Sequence, residues 1–343
     1  MNNLFGKTLE DIIIICDNLS LPKYTAKQIT NWLYNKQIKE IKEMTNLSLK
    51  TREKLTKEYQ IDISQPLTTF ISKDGTKKYL FQYGEKEKVF VEAVVIFDRD
   101  RVTLCISSQA GCKLNCSFCA TGKQGFKKNL LSGEILNIYR SIDEHKAITN
   151  IVYMGMGEPL DNWKEVKKSI QVLTSEWGYA ISPRRITVST CGILPKMENL
   201  LNTTQCNIAI SLHSAIYEQR KQIMPVENSF PISEVVKFLR NYDWSGQRNL
   251  TFEYIVFDNF NNTPQHVDAL VKLLKGLKCK INLIRYHSIS KHSKFRTASE
   301  YTMIAFRDNL IKKGLFTTIR ASKGEDILAA CGLLSEKNYN YLT

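Results

Sequence analysis

Apolar residues recur at two spacings along the 343-residue chain, and the switches between them divide it into three parts. Over residues 1–60 the spacing is helical: in TAKQITNWLYNK, Ile29, Trp32 and Leu33 share a face. A second helix is expected to start after Asn46 or Ser48 and to carry Lys50, Arg52 and Lys54 on a basic face. Such a helical accessory module either packs with a solvated outer side or grips RNA. From 61 to 107 the spacing shortens. KKYLFQY, KVFVEAVVIF and RVTLCISS are separated by polar turns at 83–88 and 98–101, so a short antiparallel β extension is expected.

Beyond Cys119 strands and helices alternate. The strands are read in NIVYMGMG, RRITVST, NIAISLHS, NLTFEYIVF, KINLIRYH and FTTIRAS. Between them lie amphipathic helices, one carrying Val166, Ile170 and Leu173. Another opens on Thr263-Pro264 and presents Val267, Leu270, Val271 and Leu274; a third, 301–313, stops at Gly314. Six such units predict an α/β fold over 108–343, an open, partial (β/α)6 barrel with its chemistry in the loops at the strand C-termini.

Composition adds a partner and a compartment. Lys and Arg exceed Asp and Glu to give a net charge of +14. That excess suits a polyanion such as RNA or DNA, and it equally suits a surface solvated by lysine. No run of about 18 apolar residues is present, so no membrane span is expected. The N-terminus lacks the basic start and small-residue cleavage site of a secretory signal, and a cytoplasmic protein is expected. Of nine cysteines, three fall within eight residues, which in a reducing compartment points to metal or redox chemistry.

Those three form Cys112-x3-Cys116-x2-Cys119, with Phe118 before the last. Three thiolates on one loop can hold three irons of a [4Fe–4S] cluster and leave the fourth open to a chelating ligand. Structural zinc is the rival, but it would need a fourth ligand and usually a second CxxC, which is missing. The motif resembles that of the radical S-adenosylmethionine (SAM) superfamily, in which the SAM amino and carboxylate groups bind the open iron. The run Gly155-Met156-Gly157-Glu158 follows a strand about forty residues later. Read alone it is a tight turn; read with the cysteines it resembles the superfamily's SAM amino-group site. Ser189 and the run Ser211-Leu212-His213 end strands where barrel loops would converge.

Two further cysteines narrow the resemblance. Cys105 lies in TLCISSQAGC and Cys331 in GEDILAACGLL. With CSFCATGKQGFKKNL, YMGMGEPL, RRITVST, ISLH and INLIR, they make the chain resemble the RlmN/Cfr family of RNA adenine methyltransferases from YTAKQITNWLY to AACG. The resemblance implies two SAM molecules per turnover. One methylates Cys331; the other yields a 5′-deoxyadenosyl radical that takes hydrogen from the S-methyl group. The resulting carbon radical adds to adenine, a base removes the ring proton, and Cys105 attacks the sulfur of Cys331, leaving a transient disulfide.

Residue by residue, the resemblance implies that Cys112, Cys116 and Cys119 hold the cluster. Gly157, Glu158, Ser189, Ser211, Leu212 and His213 would line the SAM pocket. Glu92, in FVEAVVI, would accept the proton if buried, the alternative being a carboxylate that points outward from an alternating strand. His287 stands where the family usually carries a SAM-contacting asparagine, and it can still donate a hydrogen bond. Pro159 resembles the C2-methylating, dual-specificity branch rather than the C8-methylating resistance branch. The implied partners are 23S rRNA, some tRNAs and a low-potential electron donor such as flavodoxin, acting on a monomer. A different class, a zinc-stabilised RNA-binding protein, would account for the charge and three cysteines but not for Glu158, Cys105 or Cys331.

Overall fold

The computed structural model describes residues 1–84, 87–244, 246, 248–289 and 293–335. Part of the turn expected at 83–88 therefore lies outside the described residues.

The N-terminal module is helical, as its spacing predicts. Helix Leu9–Asn18 begins at a capping box: Thr8 Oγ1 accepts from Asp11 N, and Asp11 Oδ2 accepts from Thr8 N. Ile29, Leu33 and Tyr34 are buried, but the helix Tyr24–Thr30 widens into a π turn over Asn31–Asn35. Ser48 caps the helix Leu49–Glu58. Its basic face is partly consumed by structure. Arg52 donates to the carbonyl of Lys42 and Lys54 to that of Leu19, which leaves Lys50 as the fully exposed cation of the three. The module shares a hydrophobic core with the rest of the chain. Lys168 grips Asp11 at 2.8 Å, Ser132 Oγ donates to the carbonyl of Gly6, and Tyr34 packs on Trp177 and Tyr179.

Ten strands form the main sheet in sequence order: β1 (Thr68–Ile71), β2 (Lys77–Tyr83), β3 (Val89–Asp98), β4 (Arg101–Cys105), β5 (Asn150–Tyr153), β6 (Ile186–Thr190), β7 (Asn207–Ser211), β8 (Leu250–Val256), β9 (Lys280–Arg285) and β10 (Thr317–Arg320). β1 to β4 run antiparallel and β4 to β10 run parallel. The parallel set thus has seven strands, one more than the six expected. RVTLC was assigned to the extension, yet β4 belongs to both parts: one edge closes a hairpin with β3, the other pairs in parallel with β5. A strand's alternation reveals its two faces but not which neighbour takes each edge.

Six crossovers join the parallel strands, each carrying at least one helix. Helix Trp163–Thr174 buries Val166, Ile170 and Leu173. Helix Pro264–Leu274 starts with proline at its first position and buries Val267, Leu270 and Leu274. Helix Glu300–Lys312 ends before Gly314, whose φ of 87° stops it. Side chains from β3 through β10 line a single cavity of about 640 Å³, so the sheet curls around its own interior. Among the described residues no helix is long and apolar enough to cross a membrane.

Candidate active site

The three-cysteine loop follows β4 and a short strand, Gln109–Gly111, that pairs with Phe126–Asn129. Gly111 has a φ of 75°, and a Cβ there would fall 1.8 Å from the carbonyl oxygen of Gly125, so only glycine lets the loop close. Cys112 N donates to that same carbonyl, and Cys119 N donates to Cys116 O. Phe118 turns inward and meets the His213 ring edge-on, with centroids 4.8 Å apart. It joins an apolar cluster with Phe257, Tyr286 and Phe295, against whose edge Cys116, Cys119 and Cys331 all pack.

Burial pushes the Cys112 thiol up to about 12, with Glu158 and Cys119 adding to the rise. Cys116 is raised well above its ordinary value by burial and then by the other two thiols. Thiols crowded in this way become thiolates only beside strong positive charge, which iron supplies. Among the described residues no three His, Cys, Asp or Glu side chains close around one ion. Three thiols on one loop can serve three of the four irons of a [4Fe–4S] cluster, whereas tetrahedral zinc needs a fourth protein ligand.

Next to this loop lies the bend after β5. Gly157 has a φ of 95°, and a Cβ would stand 2.8 Å from the backbone nitrogen of Gln109. The bend therefore packs directly on the segment that leads to the cysteines. Glu158 N donates to Gln109 Oε1, while the Glu158 carboxylate accepts from Leu160 N and Cys191 N. Burial raises the Glu158 pKa, and these hydrogen bonds oppose it.

Gly157, Glu158, Ser189, Ser211, His213 and His287 all line the cavity. His213 adopts a φ of 54°, uncommon for a histidine, and its Nδ1 accepts from Ile255 N at 3.0 Å. Burial lowers its pKa to about 3, so the ring is neutral and Nε2 carries the proton. Leu212 departs from expectation. Its side chain sits in the hydrophobic core, because it alternates with the two cavity-facing neighbours, and its backbone is already engaged, N to the Glu253 carbonyl and O to Arg220. His287 Nε2 lies 2.8 Å from Ser322 Oγ, tying it to the loop that follows β10.

The two remaining cysteines are brought together. Cys105 at the end of β4 and Cys331 both line the cavity, alongside Cys119, and both are free thiols. Burial, then proximity to Cys331, pushes the Cys105 thiol up to about 12 against the pull of Arg320. Glu92 is turned into the protein, which removes the solvent-facing alternative, but it is not among the residues that line the cavity. It is fully buried, pairs with Lys78 at 2.8 Å, and accepts from Ser335 N at 2.7 Å. A carboxylate buried on a strand needs a nearby cation, and Lys78 on the adjacent β2 supplies it.

Sequence reading missed Arg220, Glu253 and Arg320. Arg220 is fully buried, pairs with Glu227, and donates to the carbonyls of Leu212, Cys191 and Ser211. It thereby gathers the ends of β6 and β7 beneath the cavity. Glu253 and Arg320 line the cavity wall. The clue that singled out Glu92, a charge among apolar strand residues, was equally present in LTFEYIV.

Residues 2–61 match the family model of the ribosomal RNA large subunit methyltransferase N-terminal domain, and 106–274 that of the radical SAM superfamily. The chain is 52% identical over 332 residues to a protein of Phocaeicola vulgatus named "Probable dual-specificity RNA methyltransferase RlmN", covering 97% of this chain and 94% of the relative. It is 41% identical over 339 residues to the dual-specificity RNA methyltransferase RlmN of Syntrophus aciditrophicus, covering 98% and 97%. Its fold superimposes on a crystal structure of a radical SAM methyltransferase from Sphaerobacter thermophilus with a TM-score of 0.88, at 33% identity, over 97% of this chain and 99% of that one. With a helical module, a curled parallel sheet, a three-cysteine loop and Cys105, Cys119 and Cys331 opening onto one cavity, the chain belongs to the RlmN family of radical SAM methyltransferases.

Proposed function

We propose that the chain methylates C2 of an adenine in 23S rRNA, and of an adenine in some tRNAs, by way of Cys331. The observation that carries this reading is the opening of Cys105 and Cys331 onto the cavity that Cys119, Gly157 and Glu158 also line. Electron-poor ring carbons such as C2 do not attack a methyl sulfonium, so direct displacement is disfavoured and a radical route by way of a protein thiol fits the chemistry.

In this reading Cys112, Cys116 and Cys119 hold a [4Fe–4S] cluster, which when bound supplies the electron that cleaves SAM. Gly157, Glu158, Ser189, Ser211 and His213 bind SAM, with Leu212 anchoring the bend between the last two through Arg220 and Glu253 and His287 standing in for the usual asparagine. Cys331 takes a methyl group as its thiolate. Once the Cys331 S-methyl group has lost a hydrogen atom to the 5′-deoxyadenosyl group, its carbon bonds to C2 of the adenine. Glu92 takes the ring proton, for which it must first give up its bond to Ser335 N, and a bound cluster would take back the unpaired electron. Cys105 then attacks the sulfur of Cys331, releasing the base and leaving a disulfide that a cellular thiol reduces. Residues 1–60 act as the RNA-binding module, 61–107 as the β extension, and 108–343 as the catalytic barrel. A low-potential donor such as flavodoxin reduces the cluster, and the enzyme works as a cytoplasmic monomer, since one chain carries every residue named.

The test is nucleoside mass spectrometry. Protein reconstituted without oxygen is incubated with unmodified 23S rRNA and tRNA, which should each gain 2-methyladenosine. Appearance of 8-methyladenosine would reverse the regiochemistry, and an unmodified base would reject the reading.

A further inference from the structure

The cysteine loop has two sides that differ in charge and exposure. Cys119 and Phe118 line the cavity, whereas Cys112, Lys113, Leu114, Asn115 and Cys116 do not. On that other side Asn115 is exposed, and Lys113 leaves 52% of its side chain in solvent. Gly122 holds the helix Ala120–Gln124 against the loop, since a Cβ there would stand 3.1 Å from Cys116 N. The exposed Lys123 of that helix reaches back to donate to Asn115 Oδ1 at 3.1 Å. A second helix, Tyr217–Ile223, abuts the loop through the bond from Ser117 N to Ile223 O. It carries the exposed Lys221 over the ring of Tyr217, itself 44% exposed. Against these cations stand Asp161, already paired with Lys113, and Glu218 on the second helix.

Residues 101–133 contain four lysines and no Asp or Glu, so the stretch that carries the thiols is basic throughout. The lysines of the outer side are a set apart from those that RNA would meet on entering the cavity. Arg101, Lys280, Arg320 and Lys323 line the cavity, onto which Cys105 and Cys331 open. The cluster reading demands one electron for each SAM cleaved, and a protein that carries electrons is far too large for a cavity of about 640 Å³. Electron transfer through protein weakens steeply with distance, so such a carrier must seat where the thiols lie nearest to solvent. Cys112 and Cys116 are half-buried, and the residues between them are Lys113, Leu114 and Asn115.

We propose that this outer side of the loop, marked by Lys113, Lys123 and Lys221, is the docking face for an acidic, low-potential protein that carries single electrons. This rests on the cluster reading of the loop. Each encounter passes one electron from the reduced carrier, which is oxidised by one, to the group held by Cys112, Cys116 and Cys119. Acidic side chains on the carrier meet the lysines, which speeds encounter more than it tightens the complex. Brief redox complexes of this kind bury little surface, and a patch of a few cations suffices. Electrons then enter from one side of the loop while RNA occupies the other, and neither partner has to leave to admit the other.

The test uses the full-length, cluster-loaded protein without oxygen and a flavodoxin as the carrier. Stopped-flow bleaching of the cluster by reduced flavodoxin is compared with bleaching by titanium(III) citrate, a small reductant that needs no docking. Calorimetric titration with oxidised flavodoxin gives the affinity without any turnover. Lys123→Glu and Lys221→Glu are the variants, with iron content and melting temperature verifying loop and fold. Each should slow reduction by flavodoxin about tenfold at low salt and weaken its binding by a similar factor, with the titanium rate unchanged. Salt at about 0.3 M should shrink the difference, because screening then acts over less than about 8 Å. The proposal is overturned if flavodoxin binds and reduces both variants as it does wild type. It is equally overturned if the variants lose affinity for RNA and leave flavodoxin untouched, since the face would then belong to RNA. A wild-type protein that titanium citrate cannot bleach would overturn the cluster reading and this assignment with it.

Discussion

The two loops that bring sulfur to the cavity differ in the balance of their ties. The Cys112–Cys119 loop mixes local bonds (Cys112 N to Gly125 O, Cys119 N to Cys116 O, Lys123 Nζ to Asn115 Oδ1) with ties to distant chain, Ser117 N to Ile223 O and Lys113 to Asp161. The Cys331 loop is tied to residues more than two hundred positions away. Asp326 accepts from Ser72 Oγ at 2.5 Å and from Lys73 N at 3.1 Å, and Asp74 accepts from Gly324 N at 3.0 Å. Beyond the cysteine, Ala120 N donates to Gly332 O, Thr121 Oγ1 to Leu334 O, and Ser335 N to Glu92. A loop that holds a cofactor benefits from local, mutually reinforcing bonds. On the proposed mechanism the thiol of the second loop meets SAM, then RNA, then Cys105, and such a loop is better served by separate latches, each of which can open at modest cost.

The largest effect should come from breaking the first loop. Cys112→Ala, Cys116→Ala or Cys119→Ala should each abolish cluster assembly and all SAM cleavage, as iron analysis after anaerobic reconstitution would reveal. A full complement of iron in any one of them would sink the assignment. In the second region, Cys105→Ala should still methylate Cys331 and form the RNA adduct but fail to release it. Nuclease digestion of the purified mutant should leave a nucleotide on the peptide containing Cys331, whereas Cys331→Ala and the double mutant should carry none.

A smaller effect should follow from loosening the latches. Asp326→Ala should lower RNA methylation on the order of tenfold, through misplacement of Cys331, with iron content unchanged. Equal loss of iron would mean that the two loops are one unit. The pH dependence of this latch has a definite sign. Partial burial raises the Asp74 pKa, but hydrogen bonds from Thr76, Gly324 and Ser72 outweigh it and bring it to about 2. A carboxyl lowered in the folded state contributes stability above its unfolded pKa and loses it as pH falls through the folded one. The Gly324 amide resonance should therefore stay put from pH 7 to about pH 4; movement within that range would show that Asp74 is not its acceptor.

The smallest effect concerns the N-terminal module. Lys50→Ala should flatten the slope of log K against log salt for RNA by about one unit at most. Arg52→Ala and Lys54→Ala, which remove bonds to backbone carbonyls, should instead lower the melting temperature. If Lys50→Ala leaves the slope unchanged, the module's basic face is only a solvated exterior.

The sequence by itself determined the features that depend on short stretches of chain. Helical and alternating spacings located the module, the strands and most helix ends, because each element buries a stripe of its own residues. The cysteine spacing and the glycines around Glu158 were equally legible, since a tight loop's chemistry is written in consecutive residues. What only the tertiary structure decided lies between strands and between distant loops. The double role of β4, the inward face of Glu92 beside Lys78, the withdrawal of Leu212 into the core, and the latching of Asp326 to the Ser72 turn all depend on which edges and faces meet. Periodicity states that a residue is on one of two faces. The partner that makes a buried charge tolerable, or a thiol accessible, is selected only when the sheet curls and brings residues hundreds of positions apart into hydrogen-bond range.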